Sequence, residues 1–507
     1  MDILSNAALG LGVALSLTNL TYCFFGVLLG TLIGVIPGIG ALTAISMLLP
    51  VTFYLDPTTA LIMLSGIWYG TSYGGSTTSI LLNIPGTPSN AITCLDGYPM
   101  AQQGRAGVAL FMTTIASFAA ASIGIIICMV FAPVIAAYAL RFGPPEYFAI
   151  ILFGLVAAST ISNGSPIKAL AMVVVGLMAG SVGMDVYTGS LRFTGGATEL
   201  IDGIGLVALA VGIFGVSEII LSVGQRVGTV ISSKDITFRS MMPTRRDMVD
   251  SVGPVLRGTG FGTFFGALPG TGPSIAAFIA YATEKRVARN RRNMGNGAIE
   301  GIMAPEAANN AADQASFIPT LSLGIPGSPT MALMLGALMV HGITPGPNLI
   351  AEQPSLFWGL MMSFWIGNLM LLVLNIPLIG IWVRMLTIPY NLLYPAVLVF
   401  ICIGVYSIGN STFEVMMTAG FGLFGYLARY MGYPVAPLLL GFVLGPLLEE
   451  HFRRALLVSR GDFSVFAGSG ISLTFLALTV ALLIWGGWTS YQDRRAQTVG
   501  AAAADSE

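Results

Sequence analysis

The chain has 507 residues, 55% of them hydrophobic and only 9% charged, with a net charge of −1. A water-soluble domain carries about 25% charged residues, so most of this polypeptide is not a solvated surface; its solvent is a bilayer, with room for roughly 10 to 12 helical spans of about 20 residues each. The same arithmetic excludes several functions: none of Lys168, Lys234 and Lys285 stands in the Gly-Lys-Ser/Thr context of a nucleotide-binding loop, His341 and His451 lack zinc-hydrolase spacing, and the near-zero charge gives nucleic acid nothing to bind.

In chain order, Met1-Asp2-Ile3 opens without the basic segment of a signal peptide, so no removable leader is expected. Apolar runs of spanning length follow near residues 58 to 82, 107 to 140, 144 to 162, 167 to 185 and 201 to 223. After a polar interval they resume near 306 to 325, 355 to 385, 390 to 408, 413 to 430 and 464 to 488. Cys23, Cys94, Cys128 and Cys402 sit in apolar context without paired spacing and read as small core residues. Eleven of the 22 basic residues fall between Arg226 and Arg292. Lys and Arg near span ends mark the cytoplasmic side, so the middle of the chain is expected there. Arg257 and Lys285 bracket an apolar segment, residues 258 to 282, centred on Pro269-Gly270-Thr271-Gly272. With both flanks on one side, it enters the membrane and returns as two half-helices; the alternative is one kinked span.

An internal repeat underlies this pattern. Gly26-x3-Gly30-Thr31-x2-Gly34-x2-Pro37-Gly38-Ile39-Gly40 has the spacing of Gly258-x3-Gly262-Thr263-x2-Gly266-x2-Pro269-Gly270-Thr271-Gly272, at offset 232 (269 − 37). Asn83-Ile84-Pro85-Gly86-Thr87-Pro88-Ser89 matches Gly324-Ile325-Pro326-Gly327-Ser328-Pro329-Thr330 at offset 241 (326 − 85), and Asn163-Gly164-Ser165 weakly echoes Asn410-Ser411-Thr412. Any one glycine series is also explained by close helix packing. Pro-Gly breaks at matching places in two halves, however, are the sequence signature of a secondary transporter's binding site.

No Lys or Arg precedes Arg105, so the first tip has flanks without basic residues and the second has basic ones. That parity is what an inverted repeat requires; a full span over residues 434 to 449 would conflict with it by placing Arg453, Arg454 and Arg460 outside. The expected fold is an all-α polytopic membrane protein of two inverted repeats with re-entrant hairpins and broken helices. Residues 1–223 form the first repeat, 224–257 a cytoplasmic connecting segment, 258–450 the second repeat, and 451–507 a last span and tail.

The motifs resemble the large membrane subunit of the tripartite tricarboxylate transporter family. The likeness lies in Gly-Val-Ile-Pro-Gly-Ile-Gly (34 to 40), Asp56-Pro57-Thr58-Thr59-Ala60-Leu61, Tyr73-Gly74-Gly75-Ser76, Asn83-Ile84-Pro85-Gly86, Asp96-Gly97-Tyr98-Pro99-Met100, Phe142-Gly143-Pro144-Pro145-Glu146-Tyr147 and Pro305-Glu306-x2-Asn309-Asn310. The resemblance implies a bacterial inner-membrane permease driven by an ion gradient, typically sodium. It would receive an organic tri- or dicarboxylate from a periplasmic solute-binding protein and work with a small four-span membrane subunit. Where the family tends to run Ala-Gly-Gly after the paired asparagines, this chain has Asp313-Gln314-Ala315-Ser316.

A carboxylate needs positive potential, and neither Pro-Gly motif holds Lys or Arg. Half-helix N-termini supply it through unpaired N–H groups, worth about 0.3–2 kcal/mol per helix end. These ends are expected just after the tips, giving as substrate-binding candidates Gly38, Ile39, Gly40 and Thr43; Gly86, Thr87 and Ser89; Gly270, Thr271, Gly272 and Ser274; and Gly327, Ser328 and Thr330. The alternative for each hydroxyl is a bond to its own helix backbone. A sodium ion wants oxygen ligands, for which Asn83, Asn90, Asn309 and Asn310 are candidates. Glu306 is either a functional intramembrane acid or a cap on the following helix, and Asp313 either a cation ligand or a solvated residue. His341 reads as structural. No organic cofactor is expected, and no paired carboxylates, zinc ligands or nucleophile with base suggest an enzyme. The rival to a secondary transporter is an ion channel with re-entrant filter segments.

Overall fold

The computed structural model describes residues 3–36, 39–161, 165–185, 187–222, 240–269, 272–385 and 390–504. The described residues are all-α apart from a two-residue antiparallel pair. It opens with α1 (Ile3–Ala14), α2 (Leu17–Gly34), α3 (Ala41–Thr52), α4 (Pro57–Leu82), α5 (Cys94–Met100) and the long α6 (Ala106–Ala139). Next come α7 (Pro144–Ile161), α8 (Pro166–Gly180), β1 (Gly183–Met184), β2 (Leu191–Arg192), α9 (Leu206–Ala210) and α10 (Ser217–Ser222). The second half holds α11 (Arg245–Gly266), α12 (Gly272–Val287), α13 (Glu300–Ala315), α14 (Phe317–Leu323), α15 (Pro329–Val340) and α16 (Leu349–Glu352). It ends with α17 (Pro354–Asn375), α18 (Ile379–Met385), α19 (Tyr390–Gly409), α20 (Thr412–Tyr430), α21 (Ala436–Val458) and α22 (Gly470–Ala504). Leu17–Gly34, Cys94–Ala139, Pro354–Asn375 and Gly470–Trp488 are long and apolar enough to cross a bilayer.

Local chemistry sets several boundaries. Asp56 caps α4 by accepting the Thr58 N–H at 3.2 Å, with Pro57 in the first turn where no N–H is needed. Asn83 ends α4 with φ 57°, and Gly324 ends α14 with φ 72°, the left-handed geometry typical of helix C-termini. Thr244 and Asp247 form a reciprocal capping box, so α11 begins well before the apolar segment expected from residue 258.

Two compact units assemble from these helices, Met1–Leu140 with Val207–Leu423 and Arg141–Leu206 with Phe424–Glu507. In the first unit α2 lies on α4 with nothing between the backbones. A Cβ on Gly26 or Gly30 would sit 2.4 or 2.2 Å from the carbonyl oxygen of Met63 or Ile67, and one on Gly34 would sit 2.6 Å from Thr71. In the same way α11 lies on α13, where a Cβ on Gly258, Gly262 or Gly266 would come 2.3, 2.3 or 2.5 Å from the carbonyl oxygens of Ala304, Ala308 and Ala312. Without a hydrophobic force between helices in lipid, this backbone approach is what holds them together. The contact partners lie 241 apart (304 − 63, 308 − 67, 312 − 71), the same offset as the Pro-Gly turns.

The segment from α11 to α12 is a hairpin and not a kinked span. Arg257 on α11 pairs with Glu284 on α12, Nε to Oε1 at 2.6 Å, so the two helices run back along each other. Pro37, Gly38, Gly270, Thr271, Asn163, Gly164, Val223 and residues 224–239 of the connecting segment lie outside the described residues. Cys23, Cys94 and Cys128 are buried as expected, but Cys402 is exposed because it lies on an outward face of α19.

In the second unit Gly176 of α8 and Gly441 of α21 bring those helices together; added Cβ atoms would lie 2.1 Å from the Leu438 oxygen and 2.3 Å from the Val173 oxygen. Asp185, after β1, accepts from the Tyr187 N–H at 2.8 Å and from Arg453 at 3.0 Å. These bonds, the Tyr187 amide foremost, hold its carboxyl below the usual carboxylate range.

Candidate functional site

The four Pro-Gly breaks all fall in the first unit, and the structure interleaves them. The returning limb α3 packs against α15, which follows the fourth break, while α12 packs against the single 3-10 turn Pro88–Ala91 that follows the second. Each returning limb therefore touches the element that follows the Pro-Gly turn of the other half. The second break seats Gly86 where a Cβ would strike Gly75 at 2.3 Å and the Gly34 oxygen at 2.9 Å. The fourth repeats this, with a Cβ on Gly327 lying 3.2 Å from Ser316 and 3.1 Å from the Gly266 oxygen. Packing requires glycine at Gly86, while at Gly327 a Cβ would fit only if its neighbours gave by a few tenths of an ångström.

Gly40 and Gly272 differ. Gly40 precedes α3 with no side-chain cap, and a Cβ there would meet nothing within 4 Å. The first N–H groups of α3, at Ala41, Leu42 and Thr43, have no intrahelical partner. Gly272 has φ 65°, a conformation L side chains rarely adopt, and a Cβ would meet only Ser328, at 3.7 Å. The third and fourth breaks thus adjoin.

The remaining candidates separate by what already occupies them. Thr43 donates to the Phe214 carbonyl at 3.2 Å, and Ser328 caps α15 by accepting the Met331 N–H at 3.3 Å. Ile39 and Thr330 are buried, and Ser274 is half-buried. No α-helix starts at Gly86 to Asn90 as the sequence led us to expect, because Thr87, Ser89 and Asn90 bond one another and hold the chain in the 3-10 turn. Asn83 is exposed at the left-handed end of α4, whereas Asn90 and Asn310 belong to a buried polar network and Asn309 is buried with neither amide atom bonded.

That network centres on Glu306, which is 1% exposed in the middle of α13 and caps no helix. Thr93 and Asn90 donate to Oε1 at 2.8 and 3.0 Å, and Ser76 donates to Oε2 at 2.9 Å, with Ser117 at 3.5 Å. Asn310 donates to Ser117 at 2.8 Å and to the Glu306 carbonyl at 3.0 Å. Asp313 is buried too, which rules out a solvated face; its Oδ2 accepts from Ser72 at 2.9 Å. Gln314 accepts from Tyr69 at 2.9 Å, so the tetrad at which the chain departs from the family pattern is buried against α4. Among the described residues no lysine or arginine pairs with Glu306 or Asp313.

Asp96, which sequence reasoning quoted only as a motif, ties the halves of the chain. Its Oδ1 accepts the backbone N–H groups of Gly295, Gly297 and Ala298 at 2.8, 2.9 and 2.8 Å, and Tyr281 donates to Oδ2 at 2.9 Å. The signal that could have found the Glu306 network is the density of hydroxyls in the second half of α4, Thr71, Ser72, Ser76, Thr77, Thr78 and Ser79, since such hydroxyls seek buried partners.

Comparison with known proteins fits this architecture. Residues 20–440 match the profile described as the tripartite tricarboxylate transporter TctA family. An "Uncharacterized 52.8 kDa protein in TAR-I ttuC' 3'region" of Agrobacterium vitis is 51% identical over 484 residues, 96% of each chain. An "Uncharacterized protein in TAR-II ttuC' 3'region" of the same organism is 52% identical over 236 residues, 46% of this chain and 98% of its own. No solved structure matches. A profile match over most of the length and a relative of this identity give one conclusion: the chain is a multi-pass membrane protein belonging to the tripartite tricarboxylate transporter TctA family.

Proposed function

We propose that this chain is the large permease subunit of a binding-protein-dependent secondary transporter in the bacterial inner membrane. It imports an organic tri- or dicarboxylate, is coupled to an ion gradient, with sodium as the ion, and works by alternating access. A small four-span membrane subunit and a periplasmic solute-binding protein complete the system. The two halves are inverted repeats, and the hairpins α2–α3 and α11–α12 carry the substrate site between them.

The observation that supports this reading most is the crossed contact between the halves, α3 on α15 and α12 on the turn Pro88–Ala91. Each returning limb lies against the element that follows the other half's Pro-Gly turn, which favours a solute path lined by backbone from both halves. At Gly40 the backbone is open and the following helix is uncapped, leaving N–H groups for an anion where no side chain competes. The absence of Lys and Arg from the tips keeps the attraction weak enough for release.

Reconstituted liposomes test it. With the small subunit and the binding protein present, uptake of labelled tri- and dicarboxylates is expected to saturate, to need an inward sodium gradient and to stop without the binding protein. A sodium or carboxylate current that ignores the binding protein would instead establish the channel reading.

A further inference from the structure

We infer that Asp313 and Asn309 of α13, with the Ser72 hydroxyl of α4, form the binding site of a singly charged metal cation of the sodium class. The inference rests on the importer reading and gives its coupling ion a place. Asn309 and Asp313 are one helical turn apart, so their Cβ atoms lie about 6 Å from each other on one face. Each is 1% exposed.

The neighbouring acid shows what a satisfied carboxylate looks like here. Glu306 receives donors on both oxygens and needs no ion. Asp313 receives only Ser72, on Oδ2, and its Oδ1 has no partner. Both amide atoms of Asn309 are likewise buried without a partner. A carboxylate oxygen and an amide oxygen left open on one helix face are hard, neutral-or-anionic ligands of the kind that sodium takes. Ser72 donates its proton to Asp313 and so keeps its lone pairs for the ion. A cation there also balances a buried negative charge that no guanidinium or ammonium group meets.

Equilibrium binding of 22Na+ to the purified full-length chain in detergent, together with melting in NaCl against choline chloride, tests the assignment. The wild type is expected to bind 22Na+ saturably and to melt higher in NaCl. Asp313→Asn and Asn309→Leu are expected to weaken binding at least tenfold, and Ser72→Ala severalfold with its melting in choline unchanged. Glu306→Gln is expected to bind as the wild type does. Wild-type 22Na+ affinity in both Asp313→Asn and Ser72→Ala would overturn the site. So would a wild type stabilised by low pH but not by sodium, which would make Asp313 a proton carrier. The measurement needs neither carboxylate nor binding protein, so failure of carboxylate import would count against the importer reading and leave the 22Na+ result to judge this one.

Discussion

Arg257 grips Glu284 with two parallel N–H···O bonds, 2.6 and 2.9 Å long, across 27 residues of chain. A straight helix would hold residues that far apart in sequence about 40 Å from each other, so the pair records the reversal at the second tip. Glu284 is 1% exposed and Arg257 42%, which makes the acid the group that suffers when the pair is broken. Arg257→Met is expected to cost about 1–3 kcal/mol, less than a fully buried pair because solvent reaches the guanidinium. Arg257→Met with Glu284→Leu is expected to recover most of that loss, as apolar replacements of buried pairs do. Thermal melts of the two variants in detergent decide it; a single variant as stable as the wild type would refute the clasp.

The two kinds of glycine along the hairpins predict opposite phenotypes. At Gly30 an added Cβ would lie 2.2 Å from the Ile67 oxygen, so Gly30→Ala must push α2 off α4, at about 1–3 kcal/mol for overpacking. Its counterpart Gly262→Ala is expected to behave alike, since its Cβ would lie 2.3 Å from the Ala308 oxygen. Gly40→Ala meets nothing and is expected to melt as the wild type does. Gly40→Leu keeps the fold but crowds the open backbone, and its uptake is expected to fall at least tenfold. Normal transport by Gly40→Leu at wild-type expression would remove Gly40 from the substrate path. Gly272→Leu is the less clean probe, because positive φ alone strains any L side chain there by about 1–2 kcal/mol.

Much of this was legible in the sequence because lipid leaves few options. Apolar runs near 58 to 82 and 107 to 140 became α4 and α6 with ends within a residue or two, and the Pro-Gly motifs became breaks. The half-helix expected to start at Gly327 to Thr330 is Pro329–Val340, and residues 434 to 449, weighed as a full span but set against the arginines that follow, lie in Ala436–Val458, whose prolines, glycines and charged end blur its apolar pattern. Site chemistry was harder. Asn90 and Glu306 are 216 residues apart in the chain, and nothing in either motif says that they touch. Glu306 read equally as a functional acid or a cap, because a lone acid in a small-residue stretch has no visible partner until α4 and α6 are folded beside it.

Asp96 gives a test of how the halves are tied. Its carboxylate holds three backbone N–H groups between α12 and α13, and Gly301 has no Cβ because one would lie 2.0 Å from Asp96 Oδ2. Asp96→Ala leaves those buried donors and the Tyr281 hydroxyl unpaired, at about 1–3 kcal/mol for each group that water fails to reach. The expected outcome is a clear drop in melting temperature together with new protease cleavage near residues 295–298. Asp96→Asn keeps one acceptor oxygen and is expected to fall between the two. Unchanged melting and protection in Asp96→Ala would show that the loop holds itself.

Asp247 predicts an acid limb to stability. Burial pushes its carboxyl up, but the Thr244 hydroxyl and amide and the Arg105 guanidinium, 2.6 Å away, outweigh it and bring the folded value below the ordinary range of about 3.9. A carboxyl depressed by folding adds stability above its unfolded pKa and loses it as pH falls through the folded one. Asp247→Asn is therefore expected to melt lower than the wild type at pH 7 and at pH 5. Below about pH 4 the gap should begin to narrow, and it closes once pH has fallen through the lower folded pKa, where the wild-type acid is protonated as well. Arg105→Met should reproduce part of the neutral-pH loss, because it removes one of the bonds that favour the charged form. A gap between Asp247→Asn and the wild type that stays constant from pH 7 to pH 3 would mean that Asp247 acts through shape alone, and that its charge contributes nothing at the head of α11.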